Sequence, residues 1–448
     1  MPSLKMNRKE DDALLWLALG VALAFRLAAL ALAGDISQGA RLWEYGEQAA
    51  CAYHGGGDLC LHYPNGGAAY PSAYMPPLLS YLWLGLFHLF GDGAVARATW
   101  LGASLAAGLA NVWMVFRLAQ ALARSRLAAF LAALMLAVYP TFVMVTATYH
   151  QTNWAVFFLL AIALVAIRIA TAERLRLGDA ALGGLLCALA ALNRSEMLLI
   201  GPAVIALAAF WRGDVWAVAR VGVAAAFAMG LALSPWVIRN VAVFDRIIPA
   251  AQSTGYNLWK GYNPYTNGSG NMSEEPEGGP GDQARWRIRD QVPPGPAYET
   301  RLQEAYKQAF ESYVSHVPHS RIVELAANKL VLLWGFDWTD RRITGQWAYL
   351  LPWVGANLLA VAGLFVVWRD RRSTPGGAVM VCLATLGLLT AAYAATAVHA
   401  RYRMHIEPFL FVLAGSGAEA PLLWIAAKLG IRNGWGSTAN LEDATRAS

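Results

Sequence analysis

The sequence predicts an all-α polytopic membrane protein with about ten transmembrane helices. Of its 448 residues, 57% are hydrophobic and only 14% are charged, and the mean hydropathy is +0.40. Long apolar runs recur along the chain, among them residues 155–170, 221–236 and 351–368. Each run approaches the roughly 20 apolar residues that a helix needs to cross a bilayer. This composition excludes a soluble globular protein.

The first apolar run, residues 13–33, is interpreted as a retained anchor. It is longer than the apolar stretch of a cleaved signal peptide, although Ala31-Leu32-Ala33 weakly resembles a cleavage site. Further spans follow wherever the apolar character lasts long enough. The predicted spans are 13–33, 94–116, 127–148, 153–171, 178–193, 196–211, 217–237, 346–368, 376–397 and 405–427.

The basic residues predict the orientation, because Lys and Arg in short loops stay on the cytoplasmic side. Lys5, Arg8 and Lys9 precede the first span and place the N-terminus inside. Five later basic loops can all be cytoplasmic only if the apolar segment 76–90 does not cross and instead lies along the outer face. These loops carry Arg117, Arg124 and Arg126; Arg168, Arg174 and Arg176; Arg212 and Arg220; Arg369, Arg371 and Arg372; and Lys428 and Arg432.

This layout divides the chain into four regions and places both termini in the cytoplasm. Residues 1–237 form an N-terminal transmembrane module that includes a first external loop, 34–94. Residues 238–346 form a large second external loop, 347–432 the C-terminal transmembrane helices, and 433–448 a cytoplasmic tail. Within the second loop, 267–296 is expected to be mobile because it is rich in Gly, Pro and acids. Helices are expected over about 297–315 and 320–333.

Two of the four cysteines fall in the first external loop. Cys51 and Cys60 are separated by a Gly-rich turn, and an oxidising compartment favours a disulfide between them. Two free thiols, or a zinc site with His54 or His62, are the alternatives. Cys187 and Cys382 lie in predicted spans and are most simply packing residues.

The net charge of +6 and the pI near 9.1 do not require a nucleic-acid partner. Cytoplasmic arginines that set topology and touch anionic lipid explain them, so we expect a membrane-lipid environment and no nucleic acid. Several cations instead fall on the predicted external side, where a group of them would bind phosphate at headgroup depth. The alternative is that each pairs with a nearby acid, as Arg194 with Glu196 or Arg403 with Glu407, or reaches water. The external cations are Arg194, Arg239, Arg246, Lys260, Arg401 and Arg403, with His405.

Asp35 directly follows the first apolar run. A carboxylate at the edge of the lipid is costly, so it normally has a function. It also has a purely structural interpretation, as the cap of a helix beginning near Ser37. Glu44 and Glu47 follow nine and twelve residues later, and a helix through this stretch would gather all three acids on one side, unless the two glutamates form a solvated face.

Four stretches of the chain carry more specific patterns. Asp35 is followed by residues 70–78 (YPSAYMPPL), a Leu/Phe-rich segment ending in LFG at 89–91, and Arg97. The later stretches are 190–194 (AALNR), 235–240 with 253–264 (PWVIRN and STGYNLWKGYNP), and 400–408 (ARYRMHIEP). Together they resemble the C-type membrane glycosyltransferases, in particular bacterial relatives of protein O-mannosyltransferases and aminoarabinose transferases. The resemblance covers roughly residues 13–415, and the third stretch is its most specific part.

The resemblance implies an enzyme that moves a sugar from a polyprenyl-phosphate donor to an acceptor hydroxyl, with inversion, at the outer face of a bacterial cytoplasmic (inner) membrane. The acceptor would be a glycan, a lipid or a protein. Asp35 matches the acid of the family's first loop and is the predicted general base. Arg194, Arg401 and Arg403 are the predicted phosphate-binding residues. The predicted sugar- or acceptor-binding residues are Glu44, His150, Gln151, Arg239, Tyr256, Asn257, Lys260, Asn263 and His405, although Tyr256 also suits an interfacial aromatic belt.

One stretch departs from the family pattern. Many relatives carry an acid at a turn that here reads YHQTN, residues 149–153. Either Gln151 or Asn153 hydrogen-bonds the sugar instead, or His150 substitutes as a group that titrates near neutral pH. The missing carboxylate also weakens the case for a divalent cation, which prefers several oxygen ligands. We therefore expect no obligatory metal or other cofactor.

Two other classes of membrane protein are weighed against this interpretation. A flippase or transporter of lipid-linked sugars would place ionisable residues near the bilayer midplane, whereas the predicted spans carry few of them. A ligase that transfers a whole lipid-linked glycan would also use external arginines, but it would not be expected to show the Gly-Tyr-Asn block.

Overall fold

The computed structural model describes residues 8–33, 42–55, 57–64, 67–123, 125–274, 276–295, 297–336, 347–369 and 375–429. Nearly all regular structure in these ranges is α-helical. The helices are α1 (Arg8–Ala33), α2 (Trp43–Gly55), α3 (Pro77–Phe90), α4 (Ala94–Ala123), α5 (Arg126–Val138), α6 (Pro140–Val145), α7 (Thr152–Thr171), α8 (Leu177–Ala191), α9 (Met197–Phe210), α10 (Val215–Phe244), α11 (Thr254–Gly261), α12 (Pro280–Asp290), α13 (Tyr298–His316), α14 (His319–Trp334), α15 (Trp347–Arg369), α16 (Gly376–Ala395) and α17 (Arg403–Lys428). One antiparallel hairpin, β1 (Cys60–His62) and β2 (Ala69–Pro71), pairs Cys60 with Pro71.

The predicted polytopic all-α fold is confirmed. Within the described ranges, seven helices are long and apolar enough to cross a membrane: α1, α4, α7, α10, α15, α16 and α17. The remaining predicted spans form shorter apolar helices, namely α5 with 13 residues, α8 with 15 and α9 with 14. The orientation of the spans and the boundaries of the four regions stay predictions.

The helical bundle is centred on α7 and α17. Helix α7 packs against α4, α8, α9 and α16, and α17 packs against α5 and α15. Residues 403–417, the first half of α17, are buried throughout. Small residues permit this close approach, since a Cβ at Gly363 of α15 would clash with the carbonyl of Leu413, and one at Gly417 with that of Leu359. The bundle therefore holds the start of α17 rigidly.

A buried arginine closes the break between α5 and α6. Pro140 has no N–H group, so the carbonyl of Leu136 cannot accept the usual helical hydrogen bond. Arg26 of α1 is fully buried and donates to the carbonyl of Ala137 at 2.9 Å and to that of Leu136 at 3.4 Å. Both terminal nitrogens of this charge inside a candidate span therefore bond to backbone oxygens.

The described part of the predicted first external loop, residues 42–94 and here called the first external segment, packs as a small unit over the bundle. Helix α3 lies against α2 and α4, and the rings of Trp83 and Trp100 stack with centroids 4.4 Å apart. With 14 residues, α3 is about 21 Å long, which suits its predicted place along rather than across a bilayer. The Sγ atoms of Cys51 in α2 and Cys60 in β1 are joined in a disulfide, while Cys187 and Cys382 are free and buried.

The described part of the predicted second external loop, residues 238–336 and here called the second external segment, is more ordered than the sequence predicts. The helices expected over 297–315 and 320–333 are confirmed as α13 and α14. The prediction of a mobile stretch over 267–296 is wrong, because it contains a 3-10 turn at Asn271–Ser273 and helix α12. Hydrogen bonds hold this stretch in place: the Ser273 hydroxyl accepts from Asn263 at 2.8 Å, and Asp282 accepts from the Gly278 amide at 2.9 Å.

Candidate active site

A polar cavity of about 340 Å³ lies where the two external segments meet the ends of the bundle helices. Its walls come from the start of α2, the turn before α7, the turn between α8 and α9, helix α11, and the residues just before α17. Three carboxylates and four cations line it: Glu44, Glu196 and Glu274 with Arg194, Lys260, Arg285 and Arg401. This density of charge differs sharply from the apolar helices beneath it.

One end of the cavity, here called the arginine end, consists of Arg194, Arg401 and Tyr402. Arg194 pairs with Glu196 at 2.5 Å, and its guanidinium carbon lies 5.1 Å from the centre of the Tyr402 ring. The guanidinium of Arg401 lies 6.0 Å from the same ring. Both cations therefore sit beside one aromatic surface, in a geometry that holds guanidinium groups in place.

A second group of cavity residues, here called the lysine end, consists of Lys260, Glu274 and Tyr256. Lys260 pairs with Glu274 at 2.7 Å, and the Tyr256 hydroxyl donates to the same carboxylate at 2.7 Å. Behind them, His399 lies 3.4 Å from the Lys260 ammonium and 2.8 Å from the side-chain oxygen of Asn271. Burial alone would raise the pKa of Glu274, but Lys260 and then His399 outweigh it, and the pKa lies well below its usual range. Glu274 therefore stays ionised.

Helix α11 presents the strongest sequence motif to the cavity. Tyr256, Asn257 and Lys260 all line it. The backbone amide of Tyr256 donates to the side chain of Gln303 at 3.1 Å, and Gly255 packs so closely on the backbone of α13 that a Cβ would clash with the Gln303 carbonyl. The Gly-Tyr-Asn block thus seats α11 on α13 and points its polar side chains inward.

The turn before α7 contributes His150 and Gln151 to the cavity wall. The Nδ1 atom of His150 lies 2.7 Å from the Thr152 hydroxyl, and its ring meets Trp43 edge-on at 5.0 Å. Asn153 instead points into the bundle, where its amide donates to the Ser104 hydroxyl at 3.1 Å. Of the three residues considered as replacements for the missing acid, His150 and Gln151 are therefore in place.

Two predicted site residues on α17 are not in the cavity. Arg403 is fully buried and donates to the carbonyls of Leu332, Leu333 and Gly335 at 2.7 to 2.8 Å. Helical N–H groups cannot pair with the last carbonyls of α14, so Arg403 caps that helix, and it does not line the cavity. His405 is also fully buried, with its Nδ1 atom 2.8 Å from the Tyr393 hydroxyl.

Two further predicted residues have structural contacts of their own. Arg239 pairs with Asp58 at 2.5 Å and stacks on Trp236 at 4.9 Å, which ties α10 to the first external segment. Asn263 is fully buried and bonds to Ser273. Neither residue lines the cavity, so a direct role for either in sugar binding is not supported by its position.

Asp35 lies outside the described residues, and its predicted role as the general base stays a prediction. The described chain resumes at Leu42, and Trp43, Glu44 and Tyr45 at the start of α2 all line the cavity. Trp43 has a positive φ of 59°, a conformation that is uncommon for a bulky residue. The predicted helix through 35–47 therefore begins at Trp43 in the described chain.

A buried glutamate joins the two external segments below the cavity wall. Glu299 of α13 is 2% exposed and accepts from the Ser72 hydroxyl at 2.6 Å and the Ala73 amide at 2.8 Å. Gln48 of α2 donates to the same hydroxyl at 2.8 Å. Because Tyr74 and the residues after it line the cavity, this network holds one of its walls. Burial raises the pKa of Glu299 to about 7.

Several cavity residues were not predicted. Glu196 was named only as a partner of Arg194, and Tyr402 only as part of a motif. Glu274 and Arg285 fall in the stretch that was expected to be mobile, so no periodic pattern points to them. Among the described residues, no group of three His, Cys, Asp or Glu side chains is placed to hold a metal ion.

Comparison with known proteins was made on sequence and on fold. A family model described as dolichyl-phosphate-mannose-protein mannosyltransferase matches residues 74–238. The chain resembles the C-type membrane glycosyltransferases. That predicted resemblance is confirmed. The matched range contains several residues that line the cavity: Tyr74 to Pro76, the turn before α7, and Arg194 with Glu196. A search of curated proteins found no match.

Solved structures share the C-type fold at low sequence identity. The oligosaccharyltransferase of Archaeoglobus fulgidus in its apo form is 14% identical over 96% of this chain and 53% of its own, with a TM-score of 0.57. The same organism's AglB, solved with an inhibitory peptide and a dolichol-phosphate, gives 15% identity, the same coverages and a TM-score of 0.56. ArnT from Cupriavidus metallidurans bound to undecaprenyl phosphate gives 12% identity, coverages of 91% and 78%, and a TM-score of 0.43. The chain thus spans about half the length of the archaeal oligosaccharyltransferase.

Proposed function

We propose that this protein is a glycosyltransferase that moves a sugar from a polyprenyl-phosphate donor to an acceptor hydroxyl, with inversion at the anomeric carbon. The observation that carries the proposal is the arginine end of the cavity. Two guanidinium groups, on Arg194 and Arg401, are held beside one tyrosine ring at the ends of apolar helices. A phosphate attached to a lipid chain would bring its charge to this depth.

The arginine end suits the charge that develops during transfer. Breaking the bond between the anomeric carbon and the phosphate oxygen leaves negative charge on the phosphate. Positive groups fixed in advance beside a low-dielectric bilayer stabilise that charge more than water does. The pairing of Arg194 with Glu196 fixes its guanidinium while leaving N–H groups for a ligand. The dolichol-phosphate in the AglB structure supports the same class of donor.

The lysine end suits a sugar. Tyr256 offers an aromatic face, and Asn257 and Glu274 offer hydrogen-bonding groups at the same wall. His150 and Gln151 supply further polar atoms to the same cavity. Aromatic surface combined with a few oriented polar groups is the usual composition of a small-molecule pocket.

The acceptor step needs a base. In the proposed step, the acceptor oxygen bonds to the anomeric carbon while the bond to the phosphate breaks. The electron pair leaves with the phosphate, and the hydroxyl proton passes to the Asp35 carboxylate. General-base catalysis of this kind typically contributes about 10²- to 10⁴-fold in rate. We propose that the cavity cations supply the positive charge, so that no divalent cation is obligatory.

The disulfide supports an external location for this chemistry. Disulfides persist in oxidising compartments, and the Cys51–Cys60 bridge lies in α2 and β1, next to the cavity wall formed by the start of α2. We propose that the cavity faces the outside of a bacterial cytoplasmic membrane, with both termini inside.

The charges within the bundle favour a transferase over a transporter. Arg26 and Arg403 are buried charges near or within candidate spans, as a transport pathway would require. Both donate to backbone carbonyls of neighbouring helices. Neither lines the polar cavity.

The test is a transfer assay with the purified protein and a panel of polyprenyl-phosphate sugars, comparing wild type with Asp35→Asn. We expect the variant to bind donor normally and to lose transfer by at least about 100-fold. Asp92→Asn is the matched control, because Asp92 is an exposed acid of the same loop that pairs with His54. Equal turnover by wild type and Asp35→Asn would remove Asp35 from the base role. Transfer only from lipid pyrophosphate glycans would favour the ligase.

A further inference from the structure

A chain of buried polar groups lies directly behind Arg194. The Glu196 carboxylate that pairs with Arg194 also lies 3.4 Å from the hydroxyl of Tyr393, on α16. That hydroxyl lies 2.8 Å from the Nδ1 atom of His405, on α17. The chain therefore links three separate elements of the bundle to one cation of the arginine end.

The hydrogen-bond directions in this chain follow from its charged end. Glu196 pairs with Arg194 and so acts as an acceptor, which makes the Tyr393 hydroxyl the donor to it. A hydroxyl has only one hydrogen, so Tyr393 must then accept from His405, whose Nδ1 carries the proton. His405 Nε2 is buried without a hydrogen-bond partner in the described chain. In this tautomer Nε2 holds a lone pair, which is cheaper to leave unpaired than an N–H group.

Packing fixes the residues behind Glu196 more firmly than Glu196 itself. His405 is fully buried and Tyr393 is 2% exposed, whereas the Glu196 side chain is 24% exposed. The Tyr393 ring packs against Tyr402 with centroids 4.7 Å apart, and Tyr402 is the surface beside which both cavity arginines lie. Without a fixed acceptor, the long arginine side chain would lose its orientation, because ordering it costs conformational entropy.

We infer that Tyr393 and His405 form a positioning unit that holds Glu196, and through it Arg194, in the orientation that binds the donor phosphate. This inference rests on the proposed function. His405 was predicted from the sequence to contact the substrate; here it acts two hydrogen bonds away from it. Neither Tyr393 nor His405 is a catalytic residue in this account.

The first test is Tyr393→Phe, which removes one hydroxyl and keeps the packing. We expect the Kd for undecaprenyl phosphate to rise about tenfold and kcat/KM for the donor to fall at least about tenfold, because one oriented hydrogen bond is lost and Arg194 acts on both the bound and the leaving phosphate. Tyr349→Phe is the matched control. Tyr349 is also a buried tyrosine that donates to a glutamate of α17, Glu407 at 2.6 Å, but neither residue lines the cavity. An unchanged Kd in Tyr393→Phe, or an equal rise in Tyr349→Phe, would overturn the inference.

A double-mutant cycle separates positioning from general loss of packing. In a Glu196→Gln background, Tyr393→Phe should raise the Kd for undecaprenyl phosphate by less than about twofold. The charged carboxylate through which Tyr393 positions Arg194 is absent from that background. Fully additive effects would contradict the inference. His405→Asn, whose amide can replace the Nδ1–H donor, should keep more affinity than His405→Ala; equal losses would also count against it.

Direct binding measurements test the proposed function and the positioning unit separately. If wild type binds no polyprenyl phosphate, the proposed function fails. If wild type binds and Tyr393→Phe binds equally well, the proposed function stands and only the positioning unit is refuted.

Discussion

Arg401 and Arg403 are two residues apart in one motif, yet they have different surroundings. Arg401 is half-buried at the cavity, beside Tyr402. Arg403 is fully buried and satisfies three backbone carbonyls at the end of α14. The difference lies in what each guanidinium finds within reach, since the last carbonyls of a helix need donors that the helix itself cannot supply.

Arg26 repeats the behaviour of Arg403 in another part of the bundle. It satisfies carbonyls left open by Pro140, as Arg403 satisfies those left open at the end of α14. Arginine suits both environments, because its planar donor group can serve a phosphate or several carbonyls. In this protein the arginines that line the cavity are therefore stronger candidates for a ligand than the buried arginines that cap helix ends.

The same contrast applies to carboxylates. Glu274, in the cavity, faces a lysine, and its pKa is lowered despite burial. Glu299, below the cavity wall, is buried without such a partner, and burial raises its pKa to about 7. One acid is held ionised for the cavity, and the other joins two parts of the fold.

The largest expected effect is on the cavity arginines. Replacing Arg194 and Arg401 together by alanine should lower transfer by at least about 100-fold, because the charge on the leaving phosphate loses its stabilisation. The melting temperature should stay close to that of wild type. Arg246→Ala is the control, since Arg246 is an exposed arginine outside the cavity. Normal transfer by the double variant would show that the two arginines do not stabilise the leaving phosphate.

The next effect is on stability and comes from Arg403→Met. The substitution leaves buried carbonyls without donors, each costing about 1–3 kcal/mol, so the free energy of unfolding should fall by about 3–5 kcal/mol. Donor Kd in the protein that remains folded should match wild type. Unfolding in a denaturing detergent measures the first quantity and donor titration the second. A stable variant that cannot bind donor would show that Arg403 contributes to phosphate binding.

The third prediction concerns pH and Glu299. Its pKa is raised from about 4.3 in the unfolded chain to about 7, so its contribution to stability is complete below about pH 4.3 and is lost as the pH rises to about 7. The stability difference between wild type and Glu299→Gln should shift by on the order of 3 kcal/mol across this window, in favour of the variant at the upper end. A pH-independent difference would show that Glu299 does not titrate there.

The smallest effect is expected from the disulfide. Replacing Cys51 and Cys60 by serine should cost about 2 kcal/mol, because the bridge closes only a short loop. Thiol labelling before and after reduction gives the direct check. Labelling of both cysteines without reductant would contradict the bridge, and Cys187, which is buried, serves as the unlabelled reference under native conditions.

The sequence predicts the helices of the ten expected spans well, because each is an apolar run that the structure shows as a helix of 13 to 30 residues. It also predicts the stretches that form the cavity, since Arg194, Arg401 and the Tyr256–Lys260 motif all line it. It does not reveal the partners of Arg403 or His405, which come from helices distant in sequence. Glu274 was missed because a Gly- and Pro-rich segment is ordered by side-chain bonds that leave no periodic pattern.

The most direct measurement is the binding of undecaprenyl phosphate to three forms of the protein in detergent: wild type, Arg401→Ala and Arg403→Met. The account predicts that Arg401→Ala raises the Kd at least about tenfold, the loss of one charge-assisted contact, while folded Arg403→Met binds like wild type. Unchanged binding by Arg401→Ala would contradict the assignment of the arginine end as the phosphate site.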